Sequence, residues 1–530
     1  MIKRIDARAL KAQLHDGGEL ALLDAREELL FGRRHLLMAS CVPLSRLELM
    51  VDDLVPRRGA RVVWCDNGEG LAALAAARMS ALGYQDVAWL DGGIAAWEAA
   101  GFRIYSGVHV PSKAFAEVVE HEAGTPWISA EDLQALIDRK ADIAIYDSRS
   151  YEEYHNNSIP SAISVPGAEL VYRFADLAPS PDTTVIVNCG GRTRSIIGAQ
   201  SLINAGVRNK VVSLKDGTMA WHLAGLEVVH GATRKPPEVS PHGLQSAAES
   251  AARVAARCAI ARIDMATLES WRAEAAQRSL CVLDVRSPEE YAAGHLRGAR
   301  SAPGGQLVQE TDSHLAIWGA RVVLVDDNGV RATMTASWLK QMGWLDIAVL
   351  AAGPADGDWE SGPHLPRVLG FEAASTPDID PIDLRDRLPA GDLTVIDLDL
   401  STRYARGHIP GAWFAIRSRL SAALAKLPSH QATVLTSADG TLAALAAAEL
   451  QAMASAPVMT LAGGTQAWVQ AGLPLETGAT RMADQADDVF LSPRERGQNR
   501  EDAMREYLTW EINLVNDMAN DDDHRFRIIA

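Results

Sequence analysis

Cys189 ends an apolar run and heads a glycine-rich, doubly basic loop: Val185-Ile186-Val187-Asn188-Cys189-Gly190-Gly191-Arg192-Thr193-Arg194-Ser195. A strand that ends in Cys and turns straight into a helix puts the sulfur where the free N–H groups of the first helical turn point. The helix dipole there favours negative charge. Arg192 and Arg194 add positive charge, and both effects favour the thiolate, which is the nucleophilic form. Burial as an inert core residue is the ordinary fate of a free Cys. Apolar burial gives no reason for two glycines and two arginines around one sulfur.

The frame around this loop recurs along the chain, and such recurrence decides the architecture. Each copy opens with an apolar run ending in Asp: Leu22-Leu23-Asp24-Ala25-Arg26, Ile145-Tyr146-Asp147-Ser148-Arg149, Leu283-Asp284-Val285-Arg286 and Val395-Ile396-Asp397-Leu398-Asp399. A turn follows, written Ile159-Pro160-Ser161-Ala162, Gly294-His295-Leu296-Arg297-Gly298-Ala299 and Gly407-His408-Ile409-Pro410-Gly411-Ala412 in the last three copies. The first copy is looser there, with His35 and Pro43. A second run enters a tight loop at Trp64-Cys65, Asn188-Cys189, Val325-Asp326 and Thr436-Ser437, and a helical stretch follows each loop. A third run then meets glycine at Asp91-Gly92-Gly93, Asp216-Gly217, Ala352-Gly353 and Gly463-Gly464. The spacing between copies, roughly 110 to 140 residues, is one ordinary domain each. Strands alternating with helical stretches predict parallel α/β units with sites at the carboxyl ends of the strands. The strand over 184–187 and the helix over 193–205, stopped by Gly206, put Cys189 at such an end.

These motifs resemble the rhodanese family, in a tandem array covering nearly everything from Met1 to about Thr480. The second copy matches best. The resemblance implies that Cys189 becomes a persulfide, that Gly190, Gly191, Arg192, Thr193, Arg194 and Ser195 surround the carried sulfur, and that Asp147 and Arg149 are the family's Asp-x-Arg strand motif. Asn157-Ser158 departs from the usual Gly-His of the turn. The resemblance also implies that a loop with four residues between Cys189 and Arg194 suits sulfur transfer. A loop one residue longer belongs to phosphatase relatives, whose wider oxyanion needs a wider ring of amides.

On this reading Cys189 thiolate attacks the outer sulfur of thiosulfate and sulfite leaves. Cyanide or a thiol then removes the sulfur from the persulfide. Arg192 and Arg194 are expected to bind the sulfonate end, a task that suits the guanidinium fork. Loop amides hold the terminal sulfur, and Asp147 and Arg149 brace the loop.

The other copies read as specialised. Cys65 is followed by Asp66-Asn67-Gly68-Glu69-Gly70, so carboxylates replace the loop arginines and oppose ionisation of the thiol. Cys65 is therefore a second, weaker candidate site. The third copy has Asp326 and the fourth Ser437 where the sulfur would stand, and neither can form a persulfide.

Composition fits a large multi-domain enzyme: 530 residues and a net charge of −17, with five cysteines. No run of about twenty apolar residues predicts a membrane span, and no secretory signal is expected at the N-terminus. Five cysteines make no disulfide framework and suit a reducing, cytoplasmic setting. Cys41, Cys258 and Cys281 read as core residues. No Cys/His spacing predicts a metal site, and no cofactor is expected. The acidic balance argues against nucleic acid or an anionic membrane as partner.

The expected fold is thus α/β, four rhodanese-like domains of mainly parallel sheet flanked by helices, with a helical C-terminal tail. The boundaries read 1–108, 109–232, 259–366 and 367–480. A linker and helix occupy 233–258, with an Ala-rich helix over 247–261, and a second linker runs over 362–377. In the tail at 481–530, Met504, Leu508, Ile512, Val515 and Met518 recur at helical spacing. That stripe docks on its own chain or serves a homodimer contact. For function, a thiosulfate-type sulfurtransferase is weighed against a persulfide carrier or sensor that hands sulfur to a partner protein. A mercaptopyruvate donor is a variant of the former.

Overall fold

The protein was analysed as a computed structural model, which describes residues 2–178, 180–371, 376–428, 431–452, 456–497 and 499–529. Residues 372–375 of the second expected linker lie outside the described residues.

Four parallel sheets follow one another along the chain. In the second, the strands run in the order Trp127–Ile128, Val211–Leu214, Thr184–Asn188, Ile143–Asp147 and Ile163–Ser164, all parallel. The other three sheets repeat this order with their own strands. Helices cover both faces, so the central strands can be apolar throughout. Val185, Ile186 and Val187 are fully buried. The order places the strand ending in Asp147 beside the strand ending in Asn188, with those two residues in register. The loop after Asn188 therefore opens at the carboxyl edge of the sheet, next to the Asp-x-Arg turn.

The repeats are knitted together. Ile317–Trp318 of the third repeat adds an antiparallel strand to the first sheet, with Ile317 opposite Ala21 and Trp318 opposite Leu20. One continuous apolar core runs through the first three repeats, whereas the fourth keeps separate cores. The fourth is tied to the first by Arg417, whose guanidinium meets Glu48 at 2.7 and 3.0 Å and Glu449 at 2.7 Å. The Ala-rich helix begins earlier than its composition indicates, at Pro241–Cys258. Ser240 caps it by accepting from Gly243 N–H at 3.0 Å, and Pro at the first helical position suits a start there.

The tail helix, Arg500–Met518, lies on its own chain against the helix Val110–Ala123. Its buried face differs from the expected stripe. Met504, Leu508, Leu514 and Met518 are buried along with Glu511, whereas Ile512 is 42 % exposed. A helix turns 100° per residue, so a face holding 504, 508, 511 and 518 leaves 512 outside. Among the described residues no helix is long and apolar enough to cross a membrane.

Candidate active site

Cys189 is the first residue after the strand Thr184–Asn188, and the helix Thr193–Asn204 begins four residues later. Both flanks of the turn are pinned. Ser148 N–H and Oγ–H both donate to the Asn188 carbonyl at 2.9 Å. Thr218 N–H donates to the Cys189 carbonyl at 2.9 Å and Met219 N–H to that of Gly190 at 3.1 Å. Gly217, at φ +54°, lets this second turn close in, because a Cβ there would collide with the Cys189 and Gly191 carbonyl oxygens. The Cys189 side chain is 2 % exposed. Its thiol donates to Ser195 Oγ at 3.5 Å, and Ser195 Oγ donates onward to the Arg192 carbonyl at 2.8 Å.

The Cys-less repeats show where the loop amides aim. In the third, Ala332 N–H donates to Asp326 at 3.0 Å and Gly329 N–H to its other oxygen at 2.5 Å. In the fourth, Ala443 N–H donates to Ser437 Oγ at 3.3 Å. In each repeat one donor lies six residues after the side chain at the sulfur's position. The loop is an amide cradle for an electron-rich atom, and in the second repeat the residue at the equivalent position is Cys189.

The first repeat corrects the alignment read from sequence. Asp66, not Cys65, holds the cradle position: its carboxylate accepts from Ala72 N–H at 3.0 Å and from Gly68 N–H at 2.8 Å. Cys65 is the last strand residue, in register with Asp24 as Asn188 is with Asp147. It is fully buried, with its thiol donating to Asp24 at 3.7 Å. Burial, reinforced by the Asp24 charge, pushes the Cys65 thiol well up. The loop amides of the first repeat thus meet the Asp66 carboxylate, and the Cys65 thiol meets Asp24.

The two loop arginines have different fates. Arg194 is clamped by Glu153, Nη1–Oε2 2.6 Å and Nη2–Oε1 2.8 Å, with Gln306 Oε1 at 3.0 Å. Burial opposes ionisation of Glu153, but the Arg194 guanidinium outweighs it and holds the carboxyl at about 2. Glu153 is also the third residue of a capping box closed by Ser150, so its position is fixed by its own helix. Arg194 stays on the wall of the pocket that contains Cys189.

Arg192 does not have the substrate-binding geometry expected of it. Its guanidinium is buried among Glu117, at 2.6 and 2.8 Å, Glu120, and Asp216 at 2.8 Å. Three carboxylates surround the fork. Arg192 anchors the loop to the helix Val110–Ala123, with four of its five N–H donors given to carboxylates. Asp147 and Arg149 are fully buried and bidentate, at 2.9 and 2.7 Å, and Arg149 reaches Asn157 in the departing turn. Asn188 Nδ2 donates to Asp147 at 3.1 Å, which joins this pair to the residue before Cys189.

The other wall of the pocket comes from residues that no local motif marked: Lys113, Phe490, Ser492, Arg494, Tyr507 and Glu511. All but Lys113 belong to the C-terminal tail. Arg494 donates to the Gly190 carbonyl, and Glu511 accepts from Thr193 Oγ1 at 2.8 Å. These contacts explain the two loop glycines. A Cβ on Gly190 would stand 2.9 Å from Arg494 Nη2, and one on Gly191 3.3 Å from Glu511 Oε2. The signal available in sequence was indirect, an amphipathic tail of unknown docking place.

Among the described residues one trio, His15, Asp522 and Asp523, could hold a metal ion. Lys11 already bonds both aspartates, and none of the three lines the Cys189 pocket.

Comparison with known proteins gives three findings. The family model described as rhodanese-like domain matches four stretches, residues 6–100, 129–224, 266–356 and 380–471. A crystal structure described as thiosulfate sulfurtransferase from Pseudomonas aeruginosa is 48 % identical, covers 100 % of this chain and of its own, and superposes with a TM-score of 0.96. A curated relative, the HTH-type transcriptional regulator Rv0324 of Mycobacterium tuberculosis (strain ATCC 25618 / H37Rv), is 34 % identical over 110 residues, 21 % of this chain. The chain spans about half, 48 %, of the length of that relative.

Proposed function

The chain belongs to the rhodanese-like domain family, with four copies of the domain in tandem, and on that basis we propose that it is a sulfurtransferase. In this reading Cys189 carries the sulfur as a persulfide, with thiosulfate as donor. The observation that carries this reading is the cradle of the second repeat. Of four equivalent positions, occupied by Asp66, Cys189, Asp326 and Ser437, it alone holds a sulfur, where loop amides meet the side chain in the other three. The 48 % identical protein described as a thiosulfate sulfurtransferase supports the same donor.

In the first half-reaction Cys189 thiolate attacks the outer sulfur of thiosulfate. A new S–S bond forms, the bond to the sulfonate sulfur breaks, and its electron pair leaves on sulfite, so charge balances without a proton. The helix N-terminus and the cradle amides stabilise the persulfide anion that results. In the second, an acceptor such as cyanide attacks the terminal sulfur, leaves as thiocyanate and restores the thiolate. Arg194, fixed by Glu153, supplies positive potential at the sulfur. Asp147, Arg149 and Asn188 hold the strand end in place, and Arg192 holds the loop from behind. Five cysteines, none of them disulfide-bonded, fit a reducing, cytoplasmic setting.

The test is release of sulfite and thiocyanate from thiosulfate plus cyanide, with persulfide on the protein followed by mass. Turnover by the wild type that Cys189→Ser abolishes supports the reading. A wild type that loads one sulfur and never cycles with cyanide overturns it in favour of a carrier.

A further inference from the structure

The Cys189 pocket contains two cations that make no ion pair among the described residues, Arg494 and Lys113, the second with the Glu511 carboxylate on the same pocket wall as its leading charge partner. Every other arginine at the loop is paired: Arg192 with three carboxylates, Arg194 with Glu153, Arg149 with Asp147. Arg494 makes no ion pair among the described residues. Its contact at the loop is with a neutral group, the Gly190 carbonyl, while Glu153, the carboxylate nearest to hand, is taken by Arg194. Lys113 is 6 % exposed and likewise has no carboxylate within ion-pair distance. Its ammonium lies over the rings of Tyr507 and Trp510, at 5.2 and 5.4 Å from their centroids.

Burying a charge without a partner is costly, and the cost is recovered when an anion arrives. Burial, with Arg149 nearby, draws the Arg494 guanidinium down to about 10, as expected of a cation short of its counter-charge. Both groups line the same pocket as Cys189. Arg494 also shares a wall, with Glu153 and Ser492, between that pocket and a neighbouring cleft bordered by Asn156, His222, His230 and Arg500.

We infer that the C-terminal tail completes the active site, with Arg494, assisted by Lys113, binding the charged end of a small dianionic sulfur donor so that its outer sulfur faces Cys189. The inference rests on the sulfur-transfer reading above and gives to the tail the task that sequence gave to Arg192 and Arg194. Phe490 N–H donates to Glu28 at 2.9 Å, and Ser401 N–H to Asp488 at 2.7 Å. The segment bearing Arg494 is therefore fixed to the first and fourth repeats. The supporting domains thereby acquire a role, which is to hold this strap over the second repeat.

The experiment compares Arg494→Gln and Arg494→Lys with wild type in the full chain, using thiosulfate and a singly charged alkanethiosulfonate that offers the same kind of outer sulfur. Loss of a charge-assisted contact to the dianion should lower kcat/KM for thiosulfate by roughly 10- to 100-fold in the glutamine variant, mainly through KM. The thiosulfonate should lose clearly less, and lysine should restore part of the thiosulfate rate. Equal losses for both donors, or no loss, would overturn the assignment. A second readout needs no turnover: sulfite should protect Cys189 from iodoacetamide in the wild type, and Arg494→Gln should need about tenfold more sulfite for the same protection. Equal protection would also overturn it. A wild type that forms no persulfide from either donor defeats the sulfur-transfer reading, and sulfite protection still decides on Arg494.

Discussion

Arg192 meets Glu117 end to end inside the protein, Nε to Oε1 at 2.6 Å and Nη2 to Oε2 at 2.8 Å. The pair fastens the Cys189 loop to the helix Val110–Ala123, which in turn supports the tail helix. Arg192→Met leaves Glu117, Glu120 and Asp216 without their cation. The expected cost is about 3–5 kcal/mol of stability, the range for breaking a buried pair, seen as a lowered midpoint in urea unfolding. In the folded fraction KM for thiosulfate should stay near the wild-type value. A raised KM with unchanged stability would return Arg192 to the substrate.

Cys65 points at Asp24 rather than into a cradle. Cys65→Ser should leave persulfide formation and turnover as they are, since the sulfur's position in that repeat belongs to Asp66. Mass spectrometry after thiosulfate treatment should find the added sulfur on the peptide with Cys189 and none on the peptide with Cys65.

Asp326 fills its cradle with a carboxylate that accepts from two backbone N–H groups. Asp326→Ala strands those donors in a buried loop, at an expected cost on the order of 1–3 kcal/mol. Asp326→Asn keeps an acceptor and should cost less. Both variants should form persulfide at the wild-type rate once folded, because the third repeat is a scaffold in this reading.

Asp397 is the strand-end aspartate without an arginine two residues on, since Asp399 stands there. Burial pushes its carboxyl from 3.8 up to about 7, against the hydrogen bond from Asp399 N–H. The unfolded chain ionises this group near its ordinary value while the folded chain keeps the proton, so stability falls as pH rises from about 4 to about 7 and then levels. Asp397→Asn removes that loss. Its advantage in thermal midpoint should be smallest at pH 4, grow up to pH 7 and stay constant above. An advantage that does not vary with pH would show that the carboxyl titrates normally.

How far the chain could be read in advance follows from which interactions are local. The four-fold recurrence, the parallel α/β order and the place of Cys189 were legible, because strand, turn and helix signals lie within about a dozen residues of one another. The equivalence of the Cys-less loops at Asp326 and Ser437 was legible for the same reason. The first repeat misled by one residue. Cys65 and Cys189 share a residue type, and only the strand register, with Cys65 opposite Asp24 and Asn188 opposite Asp147, shows that they are not equivalent.

The chain's own order of residues determined a cysteine just before a helix N-terminus and the sheet that carries it. Which cations serve that sulfur was decided by tertiary structure. Two arginines two residues apart in sequence, Arg192 and Arg194, are separated in role by carboxylates from distant elements: Glu117 and Glu120 claim the first, Glu153 the second. An arginine some 300 residues away, Arg494, lies against the loop because the tail is pinned across three repeats. Charge counted along a sequence says how many cations are near; only the packed structure says which have already found their anions.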